Sequence, residues 1–422
     1  MVFMTTAKKP TPKTAVVIGG GIVGLACAVN LQNSGVQTTL IDPQRPHPAS
    51  WGNAGHIAVE QVEPLANPAT LRTFHKRLFW RGGALSLPPA DIGTWLPFAL
   101  RFVQASRPAQ HRAGKVALGA ALSAAWPAWR KLVTLADVPS LLLEDGHYVV
   151  WETPKGAAAG RAAWERADIG STSIRDVTTQ EMDSLAARMA RPPAGAIRFS
   201  GSGQILDLGE LANSVRTRFN TLGGTLLREK VHQIQTSSNE AVLVTETGQR
   251  HSADAVVVSA GVASAPLLSG LGYRVPIIAE RGYHIHSALT DWPLGSPPVV
   301  FEERSMIVTR FASGLRAASF VEFARADSSP DPRKWRRLRK HVIELGLSLH
   351  DPLSEWMGAR PTLPDYLPAI GRSRRSSNLY YAFGHQHLGL TLAAATGEAM
   401  GALVRGDHPQ FDLAPFDIER FS

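Results

Sequence analysis

The sequence predicts an α/β fold in which a parallel sheet carries an inserted α+β domain built on an antiparallel sheet. Three observations predict it. Residues 15–42 run apolar strand, glycine turn, helix and second strand. A further apolar run near residue 255 ends, like the first, in small residues. The stretches between hold strand-like runs broken by turn signals.

The first unit begins A-V-V-I-G-G-G-I-V-G-L-A and closes its second strand on Asp42. Gly19, Gly21 and Gly24 satisfy G-x-G-x-x-G: one turns the chain sharply, one lets backbone approach a pyrophosphate, and one lets helix pack on strand. The phosphates would sit at the helix N-terminus, where unpaired N–H groups and the dipole favour negative charge. Asp42 is placed to accept hydrogen bonds from a ribose diol, and its charge disfavours a 2′-phosphate, which sets NADP aside. Glycine turns also serve plain packing. Here the flanking strand, the following helix and the distance to the acid favour a dinucleotide in this Rossmann-like unit. The motif alone does not separate FAD from NAD.

A chain of 422 residues suggests two or three domains, and 44% hydrophobic with 19% charged residues is ordinary globular composition that can bury a sizeable core. The single cysteine, Cys27, excludes an internal disulfide and any multi-cysteine zinc or iron–sulfur site. It reads as a small buried residue of the first helix, and no metal site is read from the sequence. Residues 1–13 are polar and proline-containing, without a signal peptide's apolar stretch, and no run approaches membrane-span length. A frayed tail and a cytoplasmic protein are expected. The formal charge of +9 suits anionic partners or a lipid surface, but solvated faces account for most of it.

After Pro43 a turn-rich segment leads to Ser50, Asn53, Ala54, Gly55 and His56, small residues suited to backbone close to something flat or anionic. Residues 65–135 read helical, broken at Pro88 and Pro89. The patch around Trp95, Phe98 and Phe102 reads as core, with contact with a membrane surface as the alternative. At residues 141–152, Asp145 and Gly146 between two apolar runs are a hairpin signal. Residues 208–222 read as an amphipathic helix, followed by strands, the last of which is expected to return to the first sheet. From residue 275 to 323 strands recur, with a hairpin at its end. The basic run around Lys334 to Lys340 reads as a solvated helix face, since no stacking platform or groove motif points to nucleic acid. Residues 378–403 then read strand, glycine- and histidine-rich turn, and a helix of small residues from near Gly389.

Five blocks, in order, resemble the FAD-dependent amino acid oxidoreductases that include glycine oxidase, sarcosine oxidase and the small subunit of bacterial D-amino acid dehydrogenase. They are the Gly19 to Asp42 unit, S-W-G-N-A-G from Ser50, R-G-Y from Arg281, W-M-G-A-R-P-T-L-P-D-Y-L-P-A-I-G from Trp356, and G-H-Q-H-L-G-L-T-L-A from Gly384. The resemblance implies an FAD-binding domain over residues 1–80, 196–270 and 356–422, and a substrate-binding domain over 81–195 and 271–355.

It also implies roles. Gly19, Gly21, Ile22, Val23 and Gly24 would meet the pyrophosphate, and Asp42 with Pro43 the adenosine ribose. Ser50 to His56 would lie beside the flavin, and Val231, Ala260 and Gly261 on the adenine side. Gly384, His387, Leu388, Gly389, Leu390 and Thr391 would turn donors toward the flavin pyrimidine oxygen. Arg360 resembles the family arginine that pairs with the substrate carboxylate, with a structural arginine as the alternative. Tyr283 would bind that carboxylate or cap the pocket, and His387 would border the reacting centre. Arg281 stands where dehydrogenases of this type often carry lysine, and His385 and His387 stand where relatives often have other residues. His56 does not match the pattern of covalent relatives, so dissociable FAD is expected.

The implied reaction is oxidative deamination of a small amino or imino acid, a D-amino acid such as D-proline or hydroxyproline in first place. The electrons would pass to a quinone or another acceptor. Tyr283, Phe301, Tyr366 and Leu388 are the expected apolar pocket wall. An O₂-using oxidase, an opine oxidoreductase and an FAD-binding subunit of a larger complex share the same motifs.

Overall fold

β1 (Thr14–Ile18) is apolar on both faces because it lies inside a sheet covered on both sides. Its neighbours are β2 (Gln37–Ile41) and Ala255–Val258, both parallel, with Ala15 opposite Ala255. Across six strands the order is Thr225–Leu227, β2, β1, Ala255–Val258, Leu379–Phe383, Ala369–Arg372, and only the last pairing is antiparallel. The run near residue 255 therefore returns to the first sheet, as its composition predicts. The structure is a computed structural model that describes residues 11–44, 48–237 and 240–421, so most of the expected frayed tail lies outside it.

α1 (Ile22–Asn33) is buried nearly all round, between this sheet and the helix Gly389–Arg405. The two helices approach so closely that a Cβ on Gly397 would come within 2.6 Å of Ala26 O. Gly24 does the same for helix on strand, since a Cβ there would overlap Gly19 O at 1.8 Å. Cys27 is fully buried and its thiol is pushed up to about 12 by burial, in keeping with a packing role. Trp129, on the helix Ala125–Leu135, is also fully buried, and its indole N–H donates to Leu390 O at 3.2 Å and Thr391 O at 3.1 Å. That contact fixes the start of the Gly389 helix, and burying such a side chain contributes about 1.5–3 kcal/mol.

The larger sheet has nine strands. Its path runs Leu353–Thr362, Ile278–Ser287, Gly314–Ala324, Met306–Phe311, Val299–Phe301, His147–Trp151, Gly195–Ser200, Ser173–Asp176, with Leu85–Ser86 beside Gly314–Ala324. It is antiparallel except where Val299–Phe301 meets His147–Trp151 and where Leu85–Ser86 joins. The expected hairpin is present as Met306–Phe311 and Gly314–Ala324.

Three expectations are corrected. Residues 141–152 do not form a hairpin: Leu142–Leu143 pairs with Gly203–Ile205 in a small separate sheet, while His147–Trp151 joins the large one. Gly146, at φ 68°, turns the chain between them and donates its N–H to Ser202 O at 2.8 Å, so the Asp-Gly turn parts two sheets. The patch on Ile92–Ala105 is divided: Phe98 is buried against Tyr366 and Ile278, but Leu96, Leu100 and Val103 are exposed. The basic helix Pro332–Leu345 is not wholly solvated, because Lys334 is fully buried between Glu322 and Asp331. Among the described residues no helix is long and apolar enough to cross a membrane.

Candidate active site

A cleft of about 1890 Å³ runs from the glycine turn to Arg360 and Tyr366. At one end Gly19, Gly21, Ile22 and Val23 line it. No side chain caps α1 through Gly21, and Ile22 N–H donates to Ser50 Oγ at 3.0 Å. Among the described residues a Cβ on Gly21 would meet only that Ser50 Oγ, at 3.0 Å, so this glycine faces the cleft rather than packed chain. Asp42 accepts from the N–H groups of Gly20 and Gln44, holding its carboxylate beside the turn, and Pro43, Val231, Ala260 and Gly261 complete that end.

Ser50, Asn53, Ala54 and His56 line the next stretch. Their loop is held from the larger sheet: Arg316 donates to Asn53 O and Trp51 O, and His284 Nδ1 lies 3.0 Å from Gly52 O. The His284 ring stacks on Trp356 at 4.9 Å, and a Cβ on Gly52 would overlap the Trp356 ring at 2.1 Å. The S-W-G-N-A-G and W-M-G-A-R-P blocks occur together because each shapes the other. Sequence reading missed Arg316, which is lowered to about 10 by burial and so remains charged.

At the far end, Arg360 stands opposite Glu280 in the register of two paired strands. Its Nη1 donates to Glu280 Oε1 at 3.0 Å and to Phe320 O at 3.3 Å. Glu280 is 1% exposed and also accepts from Thr362 Oγ1 at 3.1 Å and Tyr366 OH at 3.0 Å. Burial first, then the Glu280 charge, drives the Tyr366 phenol well above its ordinary value, so it stays a donor. Among the described residues the Nε and Nη2 of Arg360 make no hydrogen bond, and its side chain is 27% exposed toward the cleft. Phe320 and Tyr366, both touching this cluster, have φ of 71° and 56°. Bulky side chains rarely accept that region, and such strain concentrates at functional sites. Glu280 was missed as a site residue: it lies in a strand of mixed composition beside Arg281, so an acid there gives little signal, and its partner is set by strand register.

Tyr283 is a correction. Residues alternate sides along a strand, and Tyr283 projects on the side of Arg281, opposite to Glu280. Its ring edges the cleft, but its hydroxyl donates to Glu322 Oε2 at 2.6 Å and accepts from Arg281 Nη2 at 2.9 Å and Asp331 N at 3.1 Å. Those partners engage the hydroxyl, which speaks against the carboxylate role, while the ring stays at the cleft edge, where the expected cap would stand. The expected wall residues Phe301 and Leu388 are buried in the cores and do not reach the cleft. Phe98, Phe102, Phe320 and Phe323 take their place beside Tyr366.

Beyond the glycine turn, His387, Gly389 and Leu390 line the cleft, and burial pulls the His387 ring down to about 4, leaving it neutral. His385 is fully buried on Thr396 Oγ1 at 3.0 Å and acts as scaffold. Gly24, Gly55, Gly384, Leu388 and Thr391 stand one layer behind: a Cβ on Gly55 or Gly384 would come within 2.6 Å of Phe311 or Leu363, and Thr391 Oγ1 accepts from Ala58 N–H at 2.9 Å. Gln386 was also missed. Its Oε1 is buried without a partner among the described residues, at the start of the Gly389 helix.

A sheet carrying this glycine turn, joined across one cleft to a mostly antiparallel sheet, defines the class of FAD-dependent oxidoreductases. Residues 14–403 match the DAO family of FAD dependent oxidoreductases, and the chain belongs to it. It is 30% identical to a D-amino-acid oxidase of Bradyrhizobium diazoefficiens over 98% of this chain and 100% of that protein. It is 26% identical to a D-amino acid dehydrogenase of Cereibacter sphaeroides, over 96% and 95%. Its fold matches glycine oxidase from Geobacillus kaustophilus with a TM-score of 0.72 at 20% identity, over 96% of this chain and 98% of that one. The residues present fit FAD: a helix start at Gly21 that faces the cleft and carries no capping side chain of its own, an acid beside it, and the orphaned acceptor of Gln386 in the cleft wall.

Proposed function

We propose that this enzyme oxidises a small amino or imino acid, a D-amino acid in first place, to an imine, which water converts to a keto acid and ammonia when the amine is primary and which is cyclic when the substrate is proline-like. The observation that carries this reading is the half-engaged fork of Arg360, whose Nη1 is held by Glu280 while Nε and Nη2 are unused. That free edge suits two parallel hydrogen bonds to a carboxylate. Glu280, with Tyr366 on its second oxygen, provides negative charge beside the fork, matching an amino acid's amine. FAD, when bound, supplies the two-electron acceptor for the hydride leaving the α-carbon. The protein's own contribution is then positioning: Arg360 fixes the acid, the Phe98, Phe102, Phe320 and Phe323 wall excludes water and suits a small ring or aliphatic group, and His387 borders the site as a neutral imidazole. We take residues 1–80, 196–270 and 356–422 as cofactor-binding and 81–195 and 271–355 as substrate-binding. Strands Gly195–Ser200 and Leu353–Thr362 cross those bounds, and both pair in the larger sheet.

An anaerobic panel of D- and L-amino acids, watched by loss of flavin absorbance, tests this. D-proline or small aliphatic D-amino acids should bleach the flavin fastest, and bleaching by none would overturn the reading. The acceptor is proposed to be a quinone or an electron-transfer partner. The relative named as an oxidase favours a second reading with O₂. Peroxide formed in step with turnover selects the oxidase, and reduction of quinone alone selects the dehydrogenase.

A further inference from the structure

We propose that His56, Glu60 and His147 form a binding site for one divalent first-row transition metal, zinc foremost, where the loop following Gly55 meets the larger sheet. One ligand atom from each residue lies within 4.8 Å of the others. His56 Nε2 is 3.8 Å from Glu60 Oε1, the two side chains being 8% and 2% exposed. His56 Nε2 and Glu60 Oε2 are buried with no hydrogen-bond partner among the described residues. Buried polar atoms in folded proteins are almost always paired, so two orphans on neighbouring side chains call for an occupant.

The surroundings have the form of a ligand set. His147 Nδ1 lies 2.7 Å from Ser202 Oγ, and its ring stacks on Phe199 at 4.3 Å and meets the His56 ring edge-on at 4.5 Å. A hydrogen bond on one ring nitrogen is what orients a ligating imidazole, and it leaves Nε2 for the metal. Burial holds both imidazoles below their ordinary range, His56 at about 4, and raises Glu60 to about 8. Two imidazoles and a carboxylate suit zinc and its neighbours rather than magnesium or calcium. Ligand atoms around tetrahedral zinc stand about 3.4 Å apart, so the His56–Glu60 spacing of 3.8 Å is near that value, and all three ligand atoms lie within 4.8 Å of one another. All three residues line the cleft, which leaves the fourth position open to water or a ligand.

The test uses the FAD-loaded enzyme, treated with chelator, desalted, and titrated with Co²⁺ and then Zn²⁺. One equivalent of Zn²⁺ should survive gel filtration, and Co²⁺ should give visible ligand-field bands that Zn²⁺ abolishes. Glu60→Gln and His147→Asn should each weaken binding at least about 100-fold, and Ser202→Ala about tenfold. Less than about a tenth of an equivalent retained, or cobalt bands that persist in folded, flavin-containing His147→Asn, would overturn the site. Should either variant fail to fold, absence of cobalt bands in the unsubstituted enzyme overturns it equally.

Discussion

The strand Ile278–Ser287 carries a buried carboxylate cluster on each of its two faces, and the contrast separates structure from site. On one face Glu322 takes Lys334 Nζ at 2.7 Å, Arg281 Nε at 3.1 Å and Tyr283 OH at 2.6 Å, while Lys334 also reaches Asp331 at 3.0 Å. Arg281 closes that cluster with Ser328 O at 2.7 Å and Ser329 O at 2.8 Å. On the other face Glu280 holds Arg360, Thr362 and Tyr366, but Arg360 keeps an unused edge turned to the cleft. Both clusters bury charge. Arg281 Nε also lacks a hydrogen bond among the described residues but is buried, so unused hydrogen-bonding capacity that reaches a cleft, rather than burial or ion pairing, sets the Arg360 cluster apart.

Five substitutions break or sharpen this contrast. Gly21→Val should remove the flavin altogether, because its branches would fill cleft at the phosphate end while meeting little of the fold, Ser50 Oγ at 3.0 Å being the only neighbour of a Cβ there among the described residues. Protein purified with full yellow colour would show that the turn is not the cofactor cradle. Lys334→Met opens the closed cluster and should lower stability by about 3–5 kcal/mol, seen as an earlier denaturant midpoint, while kcat/KM of the folded enzyme holds.

Arg360→Ala should do the converse, keeping FAD while kcat/KM falls about 10²–10³-fold, equivalent to about 3–4 kcal/mol. Unchanged turnover at low substrate would return Arg360 to a structural role. Tyr366→Phe removes one donor to Glu280 and is expected to cost about tenfold in kcat/KM. Tyr283→Phe is the smallest in activity: a stability loss of about 1–2 kcal/mol with kcat/KM within about twofold. A large fall in kcat/KM would restore Tyr283 to the substrate.

Much of the cofactor end was legible in the chain because it depends on neighbours in sequence. Gly19, Gly21 and Gly24 act through one turn and one helix, the acid follows one strand later, and apolar runs on both faces announce buried strands. At the proposed substrate end, resemblance reached only as far as Arg360. Its partner Glu280 is eighty residues away and meets it through the pairing of two antiparallel strands.

The sequence by itself determined the α/β fold, the dinucleotide turn and the composition of the core, since propensity, period and glycine placement are local properties. Tertiary structure alone decided which side of a strand a tyrosine serves, which of two buried ion pairs opens to a cleft, and that His56, Glu60 and His147 converge. Register and sheet crossing set those distances, and a shift of one residue would exchange the two faces.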